Sequence, residues 1–540
     1  MKVLRVVPPE GSSRMNAKGF AILMCLTNNV QGYISSTSSQ DNFWYDESTQ
    51  EIFDAIKAAH HNDNVAKNII LFVGDGMGMS TVTAARIFKG QKKGRPGEED
   101  KLLFERFPHV GLAKTYSMDK QVSDSASTAT AMMAGVKVNF NTIGVDSTVK
   151  QGDCYKSLDP NTHLDSIAKW AQEVGMDTGF VTTTRVTHAT PAGLYAHTSD
   201  RTWESDIDLP PDNIHCKDIT RQLVEDEPGK NFKVILGGGS QTFLPDDGLK
   251  DRSNTFRRDG RNLVRAWAID KLNRDKSYKV VATRDQLLNV DLRNTDYLLG
   301  LFDPSHMPFE VYRNYIPKEK QVPRLSEMVK AAIQMLSKSP AGYFLMVEGG
   351  RIDQAHHMNQ ARKALEEVMT FDEAVETAVA NTNVSDTLII VTADHSHTLT
   401  INGYPEKGAD ILGLVENGDR DYTTLMYTNG PGFYRKYEVK GSNQVQPVDL
   451  RNTDTTHMEF QQLAGVNRKD IKSSHAGEDV PIYAIGPMSH LFHGVHEQTF
   501  IAHVMSYSAC IGPRADFGRC GFLKSYYGSA GYRKRNADLT

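Results

Sequence analysis

Asn68-Ile69-Ile70-Leu71-Phe72-Val73-Gly74-Asp75-Gly76-Met77-Gly78 is a short apolar run that ends on an acid held among glycines. Buried strands of a parallel sheet read this way, as continuous hydrophobic residues without alternation. Two later stretches repeat the pattern. Gly342-Tyr343-Phe344-Leu345-Met346-Val347-Glu348-Gly349-Gly350-Arg351-Ile352-Asp353 continues into Gln354-Ala355-His356-His357. Thr387-Leu388-Ile389-Ile390-Val391-Thr392-Ala393-Asp394-His395-Ser396-His397 is again a strand followed at once by an acid and imidazoles. Strand and helix signals alternate from about residue 68 to 510, which predicts one large α/β domain with a mostly parallel central sheet flanked by helices. Sheets of this kind place their sites outside the carboxyl ends of the strands, where all three acids fall.

The residue types at these ends suit metal ions. Asp353 and His357 are four apart, so a helix starting near Asp353 projects both from one face, one turn apart. Mixed Asp/His ligation suits zinc, and an all-oxygen set suits magnesium. Each cluster also has a plainer reading. Asp75 fits a turn, His356 and His357 fit a solvated helix face, and His395 and His397 fit a strand end. A fourth stretch, Asp124-Ser125-Ala126-Ser127-Thr128-Ala129-Thr130-Ala131, sets an acid and a hydroxyl at the mouth of a predicted helix. The first backbone N–H groups of a helix lack internal partners and carry partial positive charge, so a phosphate binds well there. Asp and Ser before an Ala-rich run are equally ordinary N-cap residues.

Taken together with Ser474-His475-Ala476-Gly477-Glu478-Asp479, these motifs resemble the alkaline phosphatases, in the animal, secretory-pathway branch. The resemblance runs from about residue 44 to 510, with five motifs in the family's order. It implies phosphate monoester hydrolysis of broad specificity through a phosphoserine on Ser125. It also implies two zinc ions and one magnesium per chain. Asp75, Asp394 and His395, together with Ser125 itself, would hold the zinc that activates Ser125, and Asp353, His357 and His475 the other zinc. Asp75, Thr190 and Glu348 would hold the magnesium, with His188 beside it. Arg201 falls where the family keeps the guanidinium that clamps two phosphate oxygens, a role that the planar fork suits. On its own, an arginine amid Asp and Ser reads as a solvated surface residue. Phe302 and Asp303 match the calcium site of the vertebrate branch, but Val322 stands where an acid is expected, so calcium is not expected here.

The remaining features fit an exported enzyme. The 540 residues carry 61 basic and 66 acidic side chains, a balance that gives no reason to expect nucleic acid or an anionic membrane as partner. Residues 1–34 read as a targeting segment, with basic residues ahead of a short apolar run at 19–26 and a tidier start at Met15. That run is too short to span a bilayer. Cys25 lies in this segment. The other four cysteines allow three pairings that sequence cannot choose between; the resemblance implies Cys154 with Cys216 and Cys510 with Cys520. Asn383-Val384-Ser385 is a glycosylation acceptor by pattern.

Residues 41–520 are expected to form the single domain. Residues 41–62 look like the family's N-terminal arm helix, and 401–472 like the crown-like insertion over a dimer interface, which implies a homodimer. The polar tail 521–540 carries Arg533, Lys534 and Arg535 and lacks the hydrophobic stretch exchanged for a lipid anchor, so the expectation is a secreted protein without transmembrane segment or such an anchor. Two rival enzymes remain. A sulfatase needs a Cys-x-Pro-x-Arg motif or its serine equivalent, which is absent from the sequence, and a phosphodiesterase of the same superfamily lacks the serine plus Arg201 arrangement.

Overall fold

A computed structural model describes residues 41–58, 61–245, 256–418, 421–441, 444–468, 472–518 and 520–521. The expected targeting segment, and the polar tail from residue 522, lie outside the described residues. The chain divides into two compact units, 1–60 and 61–540. The described part of the first is one helix, Asp41–Ala58, where an arm helix was expected.

The second unit is built on a ten-stranded sheet. In chain order its strands are β1 (Asn68–Val73), β2 (His109–Lys114), β3 (Asp177–Arg185), β4 (Val234–Gly238), β5 (Tyr278–Val281), β6 (Tyr297–Leu301), β7 (Tyr343–Glu348), β8 (Thr387–Thr392), β9 (Val480–Ile485) and β10 (Gly494–Glu497). Their spatial order is β10-β2-β9-β8-β1-β7-β3-β4-β6-β5. Every neighbouring pair is parallel except the two that β9 makes, with β8 and with β2. Nine strands therefore run one way and β9 alone returns. The sheet is the mostly parallel one that the apolar runs predict. β1, β7 and β8 lie side by side at its centre, with Val73 opposite both Glu348 and Thr392, so their carboxyl ends finish level.

Helices cover both faces, as a sheet of doubly buried strands requires. Helix Ala361–Ala380 shows how the sequence specifies this. Its buried residues Ala361, Ala364, Leu365, Val368, Phe371, Val375 and Ala378 recur every three or four positions, which makes one apolar stripe. Phe371 sets its ring edge-on to Phe72 of β1 at 5.7 Å between centroids. Truncating it to alanine would cost about 3–5 kcal/mol, as cavities left by buried aromatics do.

Residues 401–472 contribute short strands outside the main sheet. Leu425–Asn429 pairs with Leu399–Ile401 on one side and Ala464–Val466 on the other, and Leu414–Val415 and Tyr437–Lys440 each form a two-stranded ribbon with the strand that follows. Among the described residues, disulfides join Cys154 to Cys216 and Cys510 to Cys520. Among the described residues no helix is long and apolar enough to cross a membrane.

Candidate active site

The level ends of β1, β7 and β8 bring the three acid clusters into one site. Asp75 follows β1 by two residues, Asp394 follows β8 by two, and Glu348 is the last residue of β7; all three are fully buried. The turn after β1 needs its glycines. Gly76 has φ +72°, and a Cβ there would stand 2.7 Å from the His397 ring and 3.0 Å from the Asp353 backbone. The backbone thus passes directly behind the second cluster, and the Gly76 N–H donates to Asp394 Oδ1 at 3.0 Å.

Helix Arg351–His357 starts three residues after β7 and puts Asp353 and His357 on one face, with His357 Nε2 3.3 Å from Asp353 Oδ2. His475 Nε2 is 3.4 Å from Asp353 Oδ1 and 3.4 Å from His357 Nε2. The tautomers are fixed from behind. His357 Nδ1–H donates to Ser473 O at 2.6 Å and His475 Nδ1–H to Ser123 O at 2.8 Å, so each turns its Nε2 toward the centre. His356 turns away, its two ring nitrogens meeting Thr81 Oγ1 and Tyr427 Oη. It takes no part in the site.

His397, which the Asp394-His395-Ser396-His397 stretch contains without an assigned role, also reaches this group. Its Nε2 hydrogen-bonds Asp353 Oδ1 and it joins Asp353, His357 and His475 in one potential metal group. A two-residue ladder explains the approach, because Ser396–His397 pairs antiparallel with His475–Ala476. The only sequence signal was its place two residues after His395.

The second group is Asp75, Asp394 and His395, and the third is Asp75, His188 and Glu348. His395 Nε2 lies 3.1 Å from Asp394 Oδ2 and 3.6 Å from Asp75 Oδ1. Glu348 Oε2 accepts hydrogen bonds from Thr182 and Thr184, and Thr190 is fully buried in the short helix that His188 caps. Burial, then repulsion from Asp394, Asp353 and Glu348, drives the Asp75 carboxyl well above its ordinary range. Burial and Asp353 raise Asp394 to about 6, and burial raises Glu348 to about 7. Both Asp75 oxygens and Asp394 Oδ2 are buried and accept no hydrogen bond. Carboxylates held so are unstable as anions unless a cation sits among them, so the donor set fits metal ions: nitrogen-rich at Asp353, mixed at Asp394, oxygen-rich at Glu348.

Ser125 opens helix Ser125–Ala134 beside these groups. Asp124 caps the helix, accepting from Ala126 N at 3.0 Å and Ser127 N at 3.3 Å. This leaves Ser125 Oγ buried and 3.1 Å from His395 Nε2. Arg201 is drawn in by the same cap, its Nη1 donating to Asp124 Oδ2 at 3.0 Å and its Nη2 lying 3.2 Å from His188 Nε2. Burial would raise the Asp124 carboxyl, but the Arg201 guanidinium and the Asn141 and Ala126 N–H groups hold it below the usual range. His188 is pushed well below the ordinary imidazole value by burial and then by Arg201, so it is neutral. The helix mouth, the serine, a guanidinium and three potential cation positions converge, which is what a phosphoryl group needs on every side.

Elsewhere, Asn383 is exposed in the turn before β8. Phe302 is buried, Asp303 Oδ1 accepts from Ser305 N, and Val322 packs partly buried against the core.

Residues 66–511 match the alkaline phosphatase family. The chain is 43% identical over 508 residues to the tissue-nonspecific isozyme of alkaline phosphatase from Felis catus, covering 92% of this chain and 93% of that protein. It is 41% identical to the membrane-bound alkaline phosphatase of Bombyx mori, covering 89% and 87%. In fold it is similar to the crystal structure of Thermus thermophilus alkaline phosphatase, with a TM-score of 0.58 and 24% identity over 84% of this chain and 93% of that one.

Proposed function

The chain belongs to the alkaline phosphatase family and is a phosphatase of phosphate monoesters, and on that premise we propose that it acts through a phosphoserine on Ser125, with two zinc ions and one magnesium. The observation that carries this reading is the position of Ser125 Oγ, at a helix mouth, 3.1 Å from His395 and next to the Arg201 guanidinium held on its own N-cap.

Asp75, Asp394 and His395 hold one zinc, and Asp353, His357 and His475 the other, with His397 orienting Asp353. Asp75, Thr190 and Glu348 hold the magnesium, with His188 beside it. Bound there, such ions supply Lewis acidity that favours the serine alkoxide and neutralises charge on the attacking and leaving oxygens. The protein's residues do the rest. Arg201 donates both Nη groups to two non-reacting phosphoryl oxygens and so points phosphorus at Oγ. Ser125 Oγ, its proton released to solvent, attacks in line; its bond to phosphorus forms as the bond to the alcohol oxygen breaks, and the departing alkoxide takes a proton from water. Water then displaces Oγ on the opposite line, and phosphate leaves with Ser125 restored. Asp124 keeps Arg201 aimed throughout, and the helix N–H groups favour the anion.

Recognition is spent on the phosphoryl group, so the alcohol is weakly selected and specificity is broad. A diester keeps only two non-bridging oxygens and one negative charge, so with Arg201 on both of them an ester oxygen takes the place of the third anionic oxygen that the cation positions favour. Comparing 4-nitrophenyl phosphate with bis(4-nitrophenyl) phosphate tests this: the monoester is the far better substrate, and Ser125→Ala abolishes its turnover with zinc content retained. Equal diester turnover would favour the phosphodiesterase reading. The disulfides support passage through the secretory pathway, and with it glycosylation at Asn383. A homodimer, with 401–472 at its interface, completes the proposal.

A further inference from the structure

The sheet has a second cluster of donors at its opposite edge. β1, β2 and β10 begin there and β9 ends there, whereas the catalytic acids follow the far ends of β1, β7 and β8. Six-residue strands at about 3.3 Å per residue separate the two edges by about 20 Å. His61 and Asp63 stand on the segment leading into β1. His490 stands in the short 3₁₀ turn Ser489–Leu491 just past β9. The two segments are joined by Met488 N–H donating to Asn62 O at 2.8 Å, and the Asn62 side chain donates to Val384 O and Ser385 O, both at 3.2 Å.

The donors converge. The His61 and His490 rings lie parallel with centroids 4.0 Å apart, and His490 Nε2 is 4.0 Å from Asp63 Oδ1. One ligand atom from each of His61, Asp63 and His490 lies within 4.8 Å of the others. His109, the first residue of β2, sets its ring edge toward His490 at 6.3 Å. Two imidazoles and a carboxylate gathered within 4.8 Å of one another offer lone pairs that one cation can share.

We propose that His61, Asp63 and His490 form a peripheral site for one divalent first-row transition ion, zinc being the type. Two imidazoles with one carboxylate are a borderline donor set that calcium and magnesium do not favour, and three protein ligands leave a fourth position for water. His61 and Asp63 are exposed and His490 is half-buried, so the ion has a path from solvent. Bound, it would tie the segment before β1 to the turn after β9, remote from the chemistry.

The test is calorimetric titration of Zn2+ into enzyme already loaded at the catalytic centre, with magnesium saturating. Wild type should take up one further zinc per chain. His490→Ala, and separately the double variant His61→Ala/Asp63→Ala on the exposed segment, should weaken that uptake by at least the roughly 10–100-fold that loss of even an outer-shell metal partner costs. Turnover of 4-nitrophenyl phosphate should stay unchanged in the double variant. No further zinc in wild type, or undiminished uptake in the double variant, would overturn the proposal.

Discussion

Arg201 is the residue whose meaning depends most on the fold. Its neighbours in sequence are Asp and Ser, while its partner Asp124 is far upstream at a helix cap, so no local pattern could reveal it. Arg201→Ala removes a bidentate charge-assisted contact and should weaken inhibition by inorganic phosphate at least tenfold while leaving metal content intact. An unchanged inhibition constant would return Arg201 to a purely structural role. His188 makes a subtler case, legible only through the family resemblance. It is buried, neutral, and grouped with Asp75 and Glu348. A hard cation prefers anionic oxygen, so His188→Asp should raise magnesium affinity and slow turnover by delaying phosphate release. Magnesium titration into metal-stripped wild type and variant measures the first effect; equal affinities would remove His188 from the metal site.

At the scale of elements, the strand ends were the legible part. β1, β7 and β8 declared themselves as unbroken apolar runs, and each was followed by its acid. The helix spacing of Asp353 and His357 was equally readable. The return of β9 was not, because the direction of a strand is set by its connections rather than by its own pattern. That return carries the chain from His475 back through the sheet, and the pairing of His475 with His397 is therefore a tertiary fact. Cysteine pairing was closed to composition for the same reason. Asp353→Ala should empty one zinc position and cost about 4 kcal/mol of transition-state stabilisation, about a thousandfold in turnover. Metal analysis of the purified variant checks it, and unchanged zinc content would refute the chelate.

Over the whole molecule, the fold stores buried carboxyls that it stabilises as anions only with cations. In the metal-free protein Asp394 is raised to about 6 and Glu348 to about 7, and burial with the neighbouring carboxylates also drives Asp75 well above its ordinary range. An acid raised in this way keeps its proton up to the raised value, so metal must displace protons below about pH 7 and fewer well above it. Apparent affinity should rise with pH across that window, and proton release on metal uptake, read by calorimetry in two buffers, should shrink between pH 6 and pH 9. Constant release would mean these carboxyls are already ionised. The account as a whole turns on Ser125. The most direct measurement is acid quenching of the enzyme with radiolabelled phosphate, followed by peptide mapping. The account predicts one phosphoryl group per chain, on Ser125, absent from Ser125→Ala; a label on any other residue, or full turnover by that variant, would contradict it.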